Sequence, residues 1–153
     1  MPVEVHVCDR YQHRHERQAF GRFLQEMLDR YDDSDNAYLI ISEPEANLAS
    51  MDMVVLTRGA VIIIEMKELR FAEGVDTSEV ALRGAEKGAW TYSPDGSTVY
   101  TMGGIGKDRN PYQQVRDHRY KFADWLTGHP ECLPGGPWTR REALERIYAW
   151  VVV

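Results

Sequence analysis

Several features are scarce in this 153-residue sequence, and each scarcity argues against a class of protein. Only two cysteines occur, Cys8 and Cys132, and they lie far apart without metal-ligand spacing. Both are therefore expected to be reduced thiols of a cytoplasmic protein. No apolar run approaches the roughly 18 residues that a membrane helix needs, so no membrane partner is expected. The N-terminus lacks the basic and apolar regions of a signal peptide.

An excess of positive charge is also missing. The formal net charge is -6, whereas proteins that bind nucleic acid regardless of sequence usually have a basic surface. This balance does not exclude a nucleic-acid enzyme that uses a metal ion, because carboxylates gathered around a divalent cation themselves lower the net charge. The basic residues form an early and a late group, namely Arg10, Arg14, Arg17 and Arg22, then Lys107, Arg109, Arg116, Arg119 and Lys121.

Seven stretches have the patterns of β-strands, either alternation of apolar and polar residues or short runs rich in valine and isoleucine. They are residues 3–7, 37–41, 51–56, 60–66, 90–92, 98–100 and 147–153. Turn residues separate the third stretch from the fourth and the fifth from the sixth, so each of these pairs is predicted to form a β-hairpin. Residues 43–47 are predicted to be a loop, and residues 68–88 to be polar and irregular.

Three stretches carry helical signals. Apolar residues three and four positions apart predict an amphipathic helix over residues 16–31. Asn110 as the N-cap and Pro111 as the first helical residue predict a second helix. Thr139, followed three residues later by a glutamate, forms a capping-box pattern that predicts a short third helix. The buried side of the second helix is predicted to carry Val115, Phe122, Trp125 and Leu126.

The first predicted hairpin brings three chemically active side chains together. If the turn is centred on Arg58 and Gly59, residues at equal distances from that centre face each other. Val54 then faces Ile63 and Asp52 faces Glu65, with directly opposed Cβ atoms about 4.5–5.5 Å apart. Lys67 lies two residues after Glu65 on the same strand and therefore shares its face. The two strands are otherwise apolar on both faces, which is typical of a sheet buried under helices.

Two opposed carboxylates in a buried hairpin repel each other, so another group must compensate their charge. A divalent cation does so, because Mg²⁺ binds carboxylate oxygens and retains several waters. A neighbouring lysine can hold a scissile phosphate or assist deprotonation of the attacking water, as in metal-assisted phosphodiester hydrolysis. A structural interpretation also stays open, in which Asp52 caps the entry of a strand and Glu65 and Lys67 form a surface ion pair.

These strands also resemble a known family. The run from Met51 to Leu56, followed by the run from Gly59 to Lys67, resembles the central strands of the NERD (nuclease-related domain) family of the PD-(D/E)XK nuclease superfamily. The likeness covers residues 16–153, although a methionine precedes Asp52 where the superfamily name has proline. Further matching features follow in the same order, namely a helix beginning with Glu16, a hairpin bearing Trp90, and the helix start Asn110-Pro111-Tyr112-Gln113-Gln114.

The resemblance implies an α/β fold of the restriction-endonuclease-like type, with a central mixed β-sheet flanked by α-helices. It implies a Mg²⁺- or Mn²⁺-dependent nuclease that hydrolyses phosphodiester bonds of DNA, with RNA as a second candidate substrate. Asp52 and Glu65 would bind the metal ion, and Lys67 would be the catalytic lysine.

The resemblance assigns two further residues. Glu16 would supply an additional metal or water ligand from the first helix, and Gln114 would orient the lysine or the substrate. Without the resemblance, Glu16 is explained by the dipole of its helix. Gln114 is then a polar residue on a helix surface.

The glycine-rich residues 103–107 differ from a phosphate-binding loop, because Thr101 and Asp108 occupy positions that require glycine and serine or threonine. They are predicted to be a flexible loop. Lys107 and Arg109 are expected to bind a phosphate of nucleic acid near the N-terminus of the second helix, a location that favours anions.

Two other functions stay open at this point. The first is a module with a nuclease fold that holds nucleic acid or a partner without cutting it, which the acidic net charge favours. The second is a structural or oligomerisation domain, since fold alone does not decide function. Residues 1–153 are expected to form one NERD-like domain in the N-terminal part of a longer protein. The resemblance implies a C-terminal neighbour such as a helicase, kinase or zinc-ribbon domain.

Overall fold

The computed structural model describes residues 3–8, 11, 13–31, 37–69, 80–94, 96–102, 110–132 and 136–153. Within these residues the chain forms a five-stranded mixed sheet, two smaller sheets and three α-helices. The expected α/β architecture is therefore confirmed. Cys8 and Cys132 are free and exposed, and no helix of the described residues is long and apolar enough to cross a membrane.

The described residues place eight consecutive strands between the first and second α-helices and one strand at each end of the order. In chain order, the elements are β1 (Val3–Val7), α1 (Arg14–Tyr31), β2 (Tyr38–Ser42), β3 (Glu45–Ala46), β4 (Ala49–Ser50), β5 (Met53–Leu56), β6 (Val61–Met66), β7 (Ala81–Arg83), β8 (Trp90–Ser93), β9 (Tyr100–Met102), α2 (Pro111–Gly128), α3 (Arg140–Arg146) and β10 (Ile147–Val152). A short 3₁₀-helix, Pro130–Cys132, follows α2.

The central sheet has the strand order β1-β2-β5-β6-β10. Strands β2, β5 and β6 are antiparallel to one another, whereas β1 runs parallel to β2 and β10 runs parallel to β6. Val54 pairs with Ile63, and Leu56 pairs with Val61. The predicted register of this hairpin is therefore confirmed over the length of β5.

Two apolar layers enclose the central sheet, one on each face. Alternate residues of a strand point to opposite faces, so Met53 and Val55 contact the layer under α1, while Val54 contacts the layer under α2 and α3. Ile63 and Ile64 divide in the same way. Full burial of one such side chain stabilises the fold by about 1.5–3 kcal/mol. This two-sided burial explains why both strands are almost continuously apolar.

Helix α2 begins as its sequence predicts. The side chain of Asn110 accepts a hydrogen bond from the Gln113 N–H, and the Gln113 side chain accepts one from the Asn110 N–H. Asn110 is also buried, and its Nδ2 donates to the carbonyl oxygens of Ala85, Glu86 and Gly88. The N-cap therefore fixes a loop as well as a helix. The predicted capping box at Thr139 is likewise present at the start of α3.

Three local predictions are wrong. Residues 43–47 do not form only a loop, because β3 pairs with β4 through a two-residue turn at Asn47 and Leu48. Both turn residues have positive φ values, 50° and 61°, which suit such a turn but are unusual for leucine. Only Asn47 is of a residue type that often adopts a positive φ, so the sequence predicts this turn weakly.

The other two errors concern the small sheet of β7, β8 and β9. Its last strand begins at Tyr100, because Tyr92 pairs with Tyr100, so residues 98 and 99 belong to the connection. The stretch predicted to be irregular contains β7, which pairs with β8. All three residues of β7 are exposed, so no apolar pattern marks them.

Candidate active site

The predicted site lies where the β5–β6 hairpin opens. An antiparallel hairpin places the start of its first strand beside the end of its second. Asp52 therefore lies just before β5, while Glu65 lies near the end of β6 and Lys67 just after it. The Lys67 N–H donates to the carbonyl oxygen of Val152, at 2.8 Å, which ties this edge to β10.

Asp52 reaches the neighbouring strand in a different way from the one predicted. It lies in a bend outside the β5–β6 ladder, which stops at the pair of Met53 and Ile64. Its Oδ2 accepts a hydrogen bond from the Met66 N–H, at 2.6 Å. The predicted ladder pairing of Asp52 with Glu65 is therefore wrong, but the carboxylate still binds the end of β6.

The environment of Asp52 disfavours its charged form. Burial raises the pKa of Asp52, while the hydrogen bond from Met66 and the charge of Lys67 lower it, and the charge of Glu16 raises it further. The Tyr11 hydroxyl donates to the Asp52 carbonyl oxygen, at 2.9 Å. Burial and then the charges of nearby carboxylates, Asp52 first among them, raise the pKa of Tyr11. Tyr11 therefore stays a neutral donor that fixes the bend.

Glu65 is buried, with 1% of its surface exposed. Its Oε1 accepts a hydrogen bond from Lys67 Nζ, at 2.5 Å. Its Oε2 has no hydrogen-bond partner and lies 3.5 Å from Nδ1 of His118. Burial, followed by the charge of Asp52, raises the pKa of Glu65 to about 7, although Lys67 lowers it.

Lys67 is mostly buried, with 20% of its side chain exposed. The interpretation of Glu65 and Lys67 as a surface ion pair is therefore wrong. Removing a carboxylate and an ammonium from water costs several kcal/mol per ion. Glu65 and Lys67 are nevertheless paired at this depth, and one Glu65 oxygen has no hydrogen bond. This combination indicates a site for a ligand or an ion.

Glu16 lies in the first turn of α1, on the side that faces this cluster. Its negative charge contributes to the raised pKa values of Asp52 and Glu65. Its Oε2 also accepts a hydrogen bond from the His13 N–H, at 3.4 Å, which stabilises the start of the helix. The position is thus compatible with both interpretations of Glu16, the ligand and the helix-stabilising residue.

Gln114 is buried, with 7% of its surface exposed, and its Oε1 has no hydrogen-bond partner. The interpretation of Gln114 as a surface residue is therefore wrong. The structure also reveals a residue that the sequence did not suggest, His118, which lies one helical turn after Gln114. Residues four apart on a helix are neighbours on its surface, so the spacing was visible, but the approach to Glu65 requires the packing of α2 on the sheet.

His118 is buried, and its Nδ1 has no hydrogen-bond partner. Burial lowers the pKa of His118, and the charge of Lys121 lowers it further, so the ring is neutral at neutral pH. A neutral imidazole whose proton is on Nδ1 can donate to Glu65 Oε2 after a small rotation. His118 can thereby fix the orientation of the Glu65 carboxylate.

The residues present fit a divalent cation with oxygen ligands. Buried polar atoms in proteins nearly always have hydrogen-bond partners, yet Glu65 Oε2, Gln114 Oε1 and His118 Nδ1 lack them. Within the described ranges, no three histidine, cysteine or carboxylate side chains could hold a metal ion by themselves. Asp52 and Glu65 would therefore need water to complete the coordination, which suits Mg²⁺ because it retains several waters.

The predicted phosphate-binding residues Lys107 and Arg109 lie outside the described residues, as does the glycine-rich segment before them. Comparison with known proteins gives one match. The family model of the nuclease-related domain matches residues 12–152, which include all the site residues described above except Tyr11. No curated protein and no solved structure matches the chain significantly.

Proposed function

Because the chain belongs to the nuclease-related domain family, we propose that it is a metal-dependent nuclease that hydrolyses phosphodiester bonds of DNA. The observation that carries this proposal is the state of Glu65. This carboxylate is buried, bonded to Lys67 through one oxygen and without a hydrogen-bond partner at the other. A purely structural carboxylate at this depth would have both oxygens satisfied.

Asp52 and Glu65 are the residues that would hold Mg²⁺ or Mn²⁺, with Glu16 as a further ligand directly or through water. Such a cation supplies positive charge to a phosphate and favours deprotonation of a water molecule. The carboxylates contribute what the protein must provide, namely two oxygen donors fixed by the hairpin. The Met66 N–H holds Asp52 in place through one carboxylate oxygen, Oδ2. The other carboxylate oxygen is therefore left for the cation.

Lys67 has two consecutive roles in this proposal. In the absence of substrate its ammonium group compensates the charge of Glu65, 2.5 Å away. Once that charge is compensated by another cation, Lys67 can turn to a phosphate oxygen, because an ammonium group has three donors on a flexible stem. There it stabilises the negative charge that develops during cleavage.

Gln114 and His118 serve as positioning residues on α2. The buried Oε1 of Gln114 can accept a hydrogen bond from Lys67 or from a water molecule. His118 can donate to Glu65 Oε2, so that the carboxylate keeps one orientation when Lys67 moves away. In metal sites generally, replacing a residue that hydrogen-bonds to a metal ligand lowers metal affinity or activity by about 10–100-fold.

The direct test is cleavage of single- and double-stranded DNA with Mg²⁺, with Mn²⁺ or with EDTA. Asp52→Asn, Glu65→Gln and Lys67→Ala are each expected to lower the cleavage rate at least about 100-fold. Arg58→Ala removes an exposed positive charge from the turn at the other end of the same hairpin; it is the matched control and should cleave like the unmodified protein. Cleavage retained by folded Glu65→Gln protein would contradict the proposed site.

The same variants separate the metal site from the catalytic lysine. Mn²⁺ binding, measured by electron paramagnetic resonance without DNA, should be lost in Glu65→Gln and retained in Lys67→Ala. The alternative function, a module that binds DNA without cutting it, predicts a different pattern. A folded protein that never cleaves, and whose DNA binding is unchanged in Asp52→Asn, would favour that alternative.

A further inference from the structure

Large apolar side chains are exposed mainly around one edge of the central sheet. Of the ten that are exposed in the described part of the chain, six lie on β10, directly after it, or on the adjoining side of α2. They are Tyr112, Tyr120, Tyr148, Trp150, Val152 and Val153. Single exposed apolar side chains are common, whereas a cluster of them marks a surface that binds another molecule.

The strand at this edge has no protection against further pairing. Within the described residues, β10 pairs with β6 on one side and with no strand on the other. Edge strands of natural proteins usually carry a charge, a proline or a bulge that prevents the addition of another strand. Over Ile147–Val152, β10 has none of these. Its outer edge can therefore accept a further strand.

A groove of about 370 Å³ runs along this outer edge. The four consecutive residues 147–150 line it, together with one side of α2. Because successive residues point to opposite faces of a strand, a groove that reaches all four of them lies at the strand edge and not on one face. Helix α2 therefore forms a wall beside the place where another strand would pair.

The groove favours an occupant without charge. None of the described residues that line it is acidic. Its two arginines already have partners, since Arg116 pairs with Glu86 at 3.6 Å and Arg119 donates to the Leu144 carbonyl oxygen. A second copy of β10, which carries no charged side chain, suits this surface. A phosphate backbone would instead need free cations.

The hydrogen bonds of β10 show which of its backbone groups are available. The Lys67 N–H donates to the Val152 carbonyl oxygen, so the N–H and C=O groups of Val152 point towards β6. Successive residues of a strand direct these groups to opposite edges. Ile147, Ala149 and Val151 therefore direct theirs outwards, to the position that another strand would occupy.

We propose that two copies of this chain associate by antiparallel pairing of their β10 strands, about a two-fold axis at Trp150. Ala149 then exchanges backbone hydrogen bonds with Val151 of the second copy. Tyr148 opposes Val152 of the second copy, and Trp150 opposes its own counterpart, with Cβ atoms about 4.5–5.5 Å apart. Two-fold dimers with such self-complementary interfaces are the commonest oligomers of soluble proteins.

The sequence of β10 is complementary to itself in this register. The three exposed residues at positions 148, 150 and 152 lie on the face opposite α2, and the pairing opposes all of them to one another. An axis one residue earlier, at Ala149, would oppose Val152 to Arg146. Arg146 belongs to α3 and cannot continue a strand, so only the axis at Trp150 uses the whole of β10.

The exposed rings offer a substantial part of the area that a dimer needs. Tyr148 and Trp150 are each 51% exposed, and Tyr112 and Tyr120, which line the groove, are 37% and 39% exposed. Since an aromatic side chain can bury about 150–250 Å², these four rings offer roughly 250–450 Å² per copy. One partner of a standard interface buries about 800 Å², so the rings alone supply about a third to a half of that area.

The pairing also places two candidate sites on one side of a combined sheet. The two-fold axis is perpendicular to the sheet, so the faces that carry α2 stay on the same side. Glu65 lies beside Val151 on the neighbouring strand. The two copies of Glu65 are therefore three strand spacings apart, roughly 14 Å across the sheet. The dimer goes beyond the proposed nuclease function and does not depend on it, because a chain without nuclease activity would pair in the same way.

Sedimentation equilibrium in EDTA, over a range of protein concentrations, tests the dimer, and the unmodified chain should have the mass of two copies. Trp150→Lys removes the central rings and opposes two like charges, so the dissociation constant should rise at least about tenfold. Trp150→Glu should have the same effect. An equimolar mixture of the two variants should associate at least about fivefold more tightly than either alone, because opposite charges then face each other.

Ala149→Pro tests the strand pairing separately. The Ala149 N–H is directed outwards, so proline removes a hydrogen bond to the second copy and none to β6. The variant should keep its circular dichroism spectrum and sediment as a monomer. Leu48→Lys is the matched control, because Leu48 is 98% exposed in the turn between β3 and β4. Its mass should equal that of the unmodified dimer.

Three results would overturn the proposed dimer. The first is an unmodified chain that sediments as a monomer up to its highest soluble concentration. The second is a dimer that Trp150→Lys and folded Ala149→Pro leave unchanged, since the interface would then lie elsewhere. The third is a mixture of the two charge variants that stays monomeric, since residue 150 would then not face its counterpart. If Ala149→Pro does not fold, the charge variants decide the question, because they change only an exposed side chain.

Discussion

At the scale of single residues, the candidate site depends on the burial and the hydrogen bonding of Glu65. Its side chain is buried beside a second carboxylate, and one of its oxygens has no hydrogen bond. The sequence suggested Asp52, Glu65 and Lys67 because they lie in or next to adjoining strands, where spacing determines proximity. It did not suggest His118, since only the packing of α2 on the sheet brings that ring to Glu65.

The raised pKa of Glu65 predicts how the stability of the metal-free protein depends on pH. Between the ordinary pKa of a glutamate and about 7, the folded state binds a proton that the unfolded state has lost. The free energy of unfolding therefore falls as pH rises through this window. Glu65→Gln removes the ionisation and should be more stable than the unmodified protein at about pH 8 but not at about pH 5.

Thermal melts in EDTA across this pH range measure the effect. Equal pH dependence in Glu65→Gln and in the unmodified protein would mean that Glu65 ionises as it does in the unfolded chain.

At the scale of elements, the sequence predicted helices and central strands better than short strands. Periodicity and capping determine α1, α2 and α3, and two-sided burial determines β5 and β6. The errors fall on β3, β4, β7 and β9, which have two or three residues each. Such short strands form because a neighbouring strand pairs with them, so their own residues show little of the sequence pattern that predicts a strand.

The two capping boxes provide a comparison within one protein. Asn110→Ala removes the cap of α2 and also the donor to three backbone carbonyls. We expect it to lower the free energy of unfolding by about 2–5 kcal/mol, because a cap contributes about 1 kcal/mol and each further hydrogen bond that is lost about 0.5–1.5 kcal/mol. Thr139→Ala removes only an exposed cap and should lower it by about 1 kcal/mol.

Urea unfolding followed by circular dichroism distinguishes these losses, since the dependence on denaturant should be the same in both variants. Equal destabilisation by the two substitutions would mean that the hydrogen bonds from Asn110 to residues 85–88 contribute nothing to stability.

At the scale of the whole molecule, the sheet joins segments that are distant in sequence. The sequence predicted the β5–β6 hairpin, whose two strands are neighbours in sequence. The parallel pairing of β10 with β6 joins two segments that residues 67–146 separate, so local patterns do not predict it. That pairing brings Val151 beside Glu65 and creates the hydrogen bond from the Lys67 N–H to the Val152 carbonyl oxygen.

The proposed metal site also links the whole molecule, since α1, β6 and α2 all contribute to it. An ion that binds only the folded state stabilises it by about 2.7 kcal/mol when its concentration is 100 times the dissociation constant. For a domain of this size, that corresponds to a rise of about 5–10 °C in Tm. We therefore expect Mn²⁺ or Mg²⁺ to raise the Tm in this way above neutral pH, where Glu65 is ionised.

Calorimetry of the unmodified protein and of Asp52→Asn, each with Mn²⁺ and with EDTA, measures this rise. Asp52→Asn keeps the shape of the side chain and removes a charged ligand, so its Tm should no longer respond to the ion. Lys67→Ala should respond at least as strongly as the unmodified protein, because it removes the cation that competes for Glu65. A Tm that is the same with the ion and with EDTA in all three proteins would show that Asp52 and Glu65 bind no metal. In that case the buried pair of Glu65 and Lys67 would have to be explained as part of the fold alone.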